Sequence, residues 1–210
     1  MISYTHKFIY TRVAKTGSVT LISALRNYVN DLNRVYDIES CDYDPCHISS
    51  LDIQKKVPRE FNEYFKWAFT RNPWDRLVSI WSMNKQSKHF TCTFPLHIPD
   101  FLDFIKSLDN LDWMPKENTY RKCNKKYFNY TFGNISDFTE GSDFIGKFEN
   151  LQNDFDFICD TIGIPRQTLS CINKTKHRHY SEYYDDQTRE IVAKKYAKDI
   201  EHFGYQFETP

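Results

Sequence analysis

The stretch KFIYTRVAKTGSVTLISALRNYV, Lys7 to Val29, constrains this 210-residue chain more than any other. Lys7 to Arg12 (KFIYTR) is short, aromatic and β-branched, which predicts a strand. From Val19 to Val29, the apolar residues Leu21, Ile22, Leu25 and Val29 recur at helical spacing. Only Val13-Ala14-Lys15-Thr16-Gly17-Ser18 separates strand from helix. The first N–H groups of such a helix have no partner within it, and the helix dipole adds partial positive charge, so the loop suits an anion. Lys15 adds a full charge, Gly17 lets the backbone approach a ligand, and Ser18 or Thr20 can donate hydroxyls. The same residues also fit an ordinary helix start in which Ser18 caps and Lys15 is a solvated loop residue. Both readings stand on this segment alone.

Further along, the same alternation continues. Arg34–Ile38 reads as a second strand, and Phe65–Thr70 (FKWAFT) as a third, running into Arg71-Asn72-Pro73. Pro73 suits a first helical turn, with Leu77, Val78 and Trp81 as the apolar face of the helix that follows. Pro99–Leu108 is expected to be helical, Phe144–Phe148 a strand, and Leu151–Ile162 a helix ending at Gly163. A last helix is expected over Gln187–Phe203, its start favoured by Asp185-Asp186. The expected architecture is α/β, a P-loop-like three-layer fold with a central, mainly parallel sheet flanked by helices, in a single domain over residues 1–210. Ligands of such sheets bind at the carboxyl ends of the strands.

Composition narrows the partners. The 28 basic residues match the 28 acidic ones, which argues against a non-specific nucleic-acid binder and makes any anion site a local one. Seventeen Phe and fourteen Tyr predict an aromatic core. No stretch reaches the roughly 18 apolar residues of a membrane span, and MISYTHKFIYTR lacks the apolar region of a secretory signal, so a cytoplasmic protein is expected. The six cysteines show no C-x-x-C pair, so free thiols are expected and a zinc site is not.

The second constellation is Thr70-Arg71-Asn72-Pro73-Trp74-Asp75-Arg76-Leu77-Val78-Ser79. Arg71 stands where the chain leaves the sheet, and its planar fork can hold a phosphate by two hydrogen bonds. Ser79, about two turns into the next helix, can offer a hydroxyl to the same phosphate. Arg76 reads as structural. A nucleoside-triphosphate P-loop has its Gly before the Lys, whereas here Gly17 follows Lys15. A magnesium-dependent kinase also wants a carboxylate near a strand end, where this chain has Arg71. A cation in that place implies a ligand with an extra phosphate and no metal.

With these two segments in hand, the sequence resembles the sulfotransferases that use 3′-phosphoadenosine 5′-phosphosulfate (PAPS), in particular the carbohydrate sulfotransferases and their bacterial relatives. Lys15-Thr16-Gly17-Ser18-Val19-Thr20 is similar to that family's 5′-phosphosulfate loop, and Arg71 to Ser79 to its 3′-phosphate motif. Asp143-Phe144-Ile145-Gly146-Lys147-Phe148-Glu149-Asn150-Leu151 and Tyr183 to Phe207 match in order as well. The resemblance implies that Lys15, Thr16, Gly17, Ser18, Val19 and Thr20 bind the phosphosulfate and that Arg71 and Ser79 bind the 3′-phosphate. It also implies that the basic run Asn173 to His179 covers the nucleotide, with Lys176 and Arg178 as contacts.

Transfer to a hydroxyl needs a base for the proton and positive charge on the leaving oxygen. Lys15 supplies the charge. His47, in Cys46-His47-Ile48-Ser49-Ser50-Leu51-Asp52, is similar in position to the base of heparan 2-O-sulfotransferases. As a bare residue it reads equally as a loop or helix-capping histidine. The expected acceptor is a carbohydrate hydroxyl, met by aromatic and basic residues of segment 84–126. Two alternatives remain at this level: a P-loop-type nucleotide kinase, and a non-catalytic nucleotide- or glycan-binding module of the same fold.

Overall fold

The structure, a computed structural model, describes residues 1–29, 48–86, 100–108, 130–170 and 178–209. These fall into two compact units, Met1–Arg71 with Ile135–Lys174 and Asn72–Asn134 with Thr175–Pro210, and each is taken by itself. In chain order the helices are α1 (Ser18–Leu25), α2 (Ser50–Lys56) and α3 (Pro58–Glu63), then α4 (Pro73–Gln86) and α5 (Phe101–Ser107). After them come α6 (Ile135–Phe138), α7 (Leu151–Ile162), α8 (Asp186–Lys195) and α9 (Ala197–Phe203).

The first unit holds the sheet. Strand β1 (Ile2–Ser3) runs antiparallel to β2 (Phe8–Thr11), and β3 (Phe65–Thr70) and β4 (Phe144–Lys147) join in parallel, giving the order β1-β2-β3-β4. Successive side chains leave a strand on opposite faces. Phe8, Tyr10, Trp67 and Phe69 therefore share one face, where Leu21 and Leu25 of α1 and Phe155 and Ile158 of α7 cover them. On the other face Ile2 and Ile9 meet Ile53 of α2 and Phe61 of α3. Helices on both faces of a mainly parallel sheet make the three layers expected from the alternation. The aromatic composition goes into the first face: Tyr10 stacks on Trp67 with ring centroids 4.1 Å apart and 15° between planes. Truncating a side chain as large and buried as Trp67 costs about 3–5 kcal/mol. Gly146 keeps this layer closed, because a Cβ there would stand 2.6 Å from Cε1 of Phe69.

In the second unit, Trp74, Leu77, Val78 and Ile80 of α4 pack with Phe101, Phe104 and Ile105 of α5 and Val192 of α8. Asn72 Oδ1 accepts from Trp74 N at 3.1 Å, capping α4 while Pro73 opens its first turn. Arg76 is structural, as expected. Its Nη1 and Nη2 donate to the Gly133 and Thr131 carbonyls at 3.1 and 2.9 Å.

Three elements differ from the sequence reading. The first helix spans Ser18–Leu25, and Arg26–Tyr28 tighten into a 3₁₀ turn, so it stops short of Val29. The last helix is two helices, because Tyr196 leaves helical geometry (φ −108°, ψ 24°) between α8 and α9. The buried Tyr196 hydroxyl donates to the Phe132 carbonyl at 2.9 Å, a contact distant in sequence that local spacing does not encode. Its capping box is Asp185 with Thr188, so Asp185 acts by hydrogen bonding as well as by charge. Helix α5 starts at Phe101 on an Asp100 cap, later than the expected start at Pro99, a residue outside the described ones. The strand expected at Arg34–Ile38 also lies outside them.

Candidate functional site

Because β2, β3 and β4 are parallel neighbours, their carboxyl ends lie along one edge of the first unit. Each is followed by a residue on the face that carries Tyr10 and Phe69: Arg12 after Thr11, Arg71 after Thr70, Phe148 after Lys147. All three converge on the loop between β2 and α1. Arg12 Nε donates to Ser18 Oγ at 3.3 Å, and Arg71 Nη1 donates to the Lys15 carbonyl at 3.0 Å. The Arg71 guanidinium lies 4.1 Å above the centre of the Phe148 ring.

The loop is bent by two left-handed residues, Lys15 at φ 66° and Gly17 at φ 82°. At Gly17 the bend comes with crowding: a Cβ would meet Leu151 Cδ2 at 3.2 Å and Phe148 Cδ2 at 3.3 Å. Gly17 also occupies the N-cap position of α1 and no side chain caps the helix. Ser18 is the first helical residue and takes no cap role, so the reading of Ser18 as a simple N-cap fails. Thr16 Oγ1 donates to the Val13 carbonyl at 3.1 Å, which commits its hydroxyl proton and leaves its backbone N–H as its donor to an anion. The Lys15 ammonium loses solvation by burial and is repelled by Arg71. Together these lower its pKa from 10.5 to about 8.

The other expected site residues sit as follows. Thr20 is buried in α1, while Val19 is 41% exposed. Ser79 is buried in α4 of the second unit. Arg178, also in that unit, lies largely in solvent, 3.5 Å from Glu182 and over the Tyr183 ring. Lys176 and His47 lie outside the described residues, as do segment 109–129 and every cysteine except Cys159. Cys159 is a buried free thiol whose pKa burial pushes up to about 11.

Near His47, Ser49 caps α2 by accepting from Asp52 N at 3.1 Å. The next residue, Ser50, places its Oγ 2.8 Å from Thr11 Oγ1 and 3.3 Å from Ser142 Oγ. The buried Thr11–Ser50 bond of this hydroxyl chain pins the start of α2 beside the end of β2. Sequence reasoning missed it, and it missed the place of Phe148, because it took Phe148 as the last residue of a strand that in fact ends at Lys147. The order of charged and aromatic residues at three strand ends was the available signal.

Residues 1–206 match the model of the sulfotransferase family. The chain belongs to that family. Human carbohydrate sulfotransferase 9 is 24% identical over 228 residues, a match covering 93% of this chain and 46% of that protein. The chain thus spans about half the length of this human relative. An uncharacterized protein of Archaeoglobus fulgidus is 28% identical over 130 residues, 61% of this chain and 92% of the archaeal one. Among solved structures, mouse sulfotransferase SULT7A1 complexed with PAP superposes with a TM-score of 0.59 at 11% identity, over 95% of this chain and 85% of that one. The fold is therefore that of a sulfotransferase. Among the described residues of this family member, no helix is long and apolar enough to cross a membrane.

Proposed function

We propose that the protein transfers a sulfuryl group from PAPS to a hydroxyl of an acceptor, most simply a carbohydrate. The observation that carries this reading is the pairing of Lys15 and Arg71 at one strand edge, the Arg71 fork 3.0 Å from the Lys15 carbonyl. The Lys15 ammonium is disfavoured by burial and by repulsion from Arg71, a cost that a multiply charged anion offsets. PAPS is such an anion. The PAP bound to the mouse sulfotransferase, 3′-phosphoadenosine 5′-phosphate, is what remains of PAPS after transfer. The carbohydrate acceptor is supported by the human carbohydrate sulfotransferase relative.

In the reaction, the acceptor oxygen forms a bond to sulfur while the bond from sulfur to the 5′-phosphate oxygen breaks. The bonding pair stays on the phosphate, whose growing charge Lys15 stabilises together with the N–H groups of Thr16, Gly17, Ser18, Val19 and Thr20 at the start of α1. Ser18, whose oxygen accepts from Arg12, directs its own proton to the same phosphate. Arg71 holds the 3′-phosphate; the assignment of Ser79 to that phosphate rests on the motif from Arg71 to Ser79. Arg178 and Lys176 are proposed to cover the nucleotide.

His47 takes the acceptor's proton. Supporting this, Ser50 is pinned to Thr11 at the end of β2, and three extended residues reach at most roughly 10 Å. The short sequence distance from His47 to that anchored serine is what supports the assignment.

The test is to incubate the protein with radiolabelled PAPS and a panel of glycans and small alcohols. Labelled product is expected from the wild type, with Lys15→Met and His47→Ala reduced by about 100-fold or more while still folded. PAP is expected to bind with or without magnesium. Magnesium-dependent ATP turnover would instead favour a kinase. PAP binding without transfer to any acceptor would favour a binding module.

A further inference from the structure

Segment Asp143 to Leu151 carries no role in the chemistry above, yet it is held with care. Asp143 Oδ2 accepts from Lys66 N at 2.8 Å and pairs with Lys66 Nζ at 2.8 Å, fixing the entry to β4. At the exit, Asp154 of α7 accepts from Lys147 N at 2.6 Å and from Asn150 Nδ2 at 2.8 Å. Between these anchors stands Phe148, at the start of the 3₁₀ turn Phe148–Asn150. One face of its ring lies 4.1 Å under the Arg71 guanidinium, and its edge abuts Gly17.

We propose that Phe148 is a positioning residue that sets the protein's preference for a 3′-phosphorylated nucleotide, acting through Arg71. An arginine side chain carries much rotamer freedom, which it must lose to grip a phosphate with two N–H groups. An aromatic face beneath the guanidinium fixes the plane of the fork, and the Lys15 carbonyl fixes its rotation within that plane. The fork is then aimed before the ligand arrives, and the energy of ordering it is not subtracted from binding. The ring's contact with Gly17 keeps the same platform in register with the loop that takes the 5′ end. This inference rests on the reading of Arg71 as the 3′-phosphate ligand.

The experiment measures affinity for PAP and for AMP, which lacks the 3′-phosphate, by calorimetry on the full chain. The wild type is expected to prefer PAP strongly. Arg71→Ala should collapse that preference. Phe148→Leu should cut it about tenfold, through PAP alone, with AMP affinity unchanged. Phe148→Tyr, which keeps the ring face, should restore it. Should the Leu variant fold poorly, pentafluorophenylalanine at position 148 keeps the shape while reversing the ring's charge distribution, and the preference should fall likewise. An equal loss of PAP and AMP affinity, or an unchanged ratio in both the Leu and the fluorinated variants, overturns the role of Phe148. If Arg71→Ala itself leaves the ratio unchanged, the 3′-phosphate reading of Arg71 falls, and the inference with it.

Discussion

Lys15 changes charge within the range in which the protein can be assayed. Its free-state pKa of about 8 results from burial first and Arg71 second, both of which disfavour the ammonium. A bound phosphate reverses the balance and draws the pKa upward. Below pH 8 the lysine is charged in both free and bound forms, so affinity for PAP is insensitive to its titration. Above pH 8 the free protein has lost a proton that the complex regains. The affinity should therefore fall as pH rises through 8, approaching tenfold per unit, until the pKa of the complex is reached. Calorimetry between pH 7 and 10 checks this, and Lys15→Met should remove the slope along with much of the affinity. That a lysine stands in the loop between the first strand and the first helix was legible in the sequence. Its depressed pKa was not, since it depends on Arg71, 56 positions away, reaching the Lys15 backbone.

At the scale of elements, the strand–loop–helix of residues 8–25 could be read because each part is specified locally: aromatic strand, glycine bend, helical apolar spacing. Gly17 makes this concrete. It needs both a left-handed φ of 82° and an empty space facing Leu151 and Phe148. Gly17→Ala should cost about 1–3 kcal/mol in a urea unfolding experiment, the sum of strain and crowding. Because Phe148 is one of the two crowding partners, beside Leu151, it should also weaken PAP more than AMP. Helices α2 and α3 were not foreseen, because only Ile53 and Phe61 are buried hydrophobics within them and the rest is largely polar. The break at Tyr196 was equally hidden, since the helical spacing of Val192, Tyr196, Ile200 and Phe203 continues across it.

On the scale of the whole molecule, the three-layer plan was legible from the order of strands and helices. The division into two units was not, because each unit is assembled from two separate stretches of chain. The sheet-bearing unit needs both of its stretches: β4 and α7 come from the second, and α7 supplies Phe155 and Ile158 to the face formed by Tyr10, Trp67 and Phe69. A fragment ending at Arg71 keeps Leu21 and Leu25 of α1 but loses Phe155 and Ile158, which leaves that aromatic face partly uncovered. It should bind a hydrophobic dye and unfold without a cooperative transition, while the full chain should show one. A cooperative, dye-silent fragment would show that the first stretch is a folding unit on its own.

The left-handed bend at Lys15 has one more consequence. An ordinary side chain in that conformation is strained, and here the strained side chain is also a cation that burial and Arg71 disfavour. Asparagine tolerates the conformation and carries no charge, so Lys15→Asn should melt at a higher temperature than the natural protein while losing transfer. The charge-derived part of that gain should be full below pH 8, shrink from pH 8 upward and vanish near pH 10.5, where unfolded lysine also loses its proton. A position at which the natural residue is the less stable choice records what selection has retained it for. Thermal melts of a small library at position 15, with no substrate known, can therefore reveal that the loop is maintained for chemistry and not for folding.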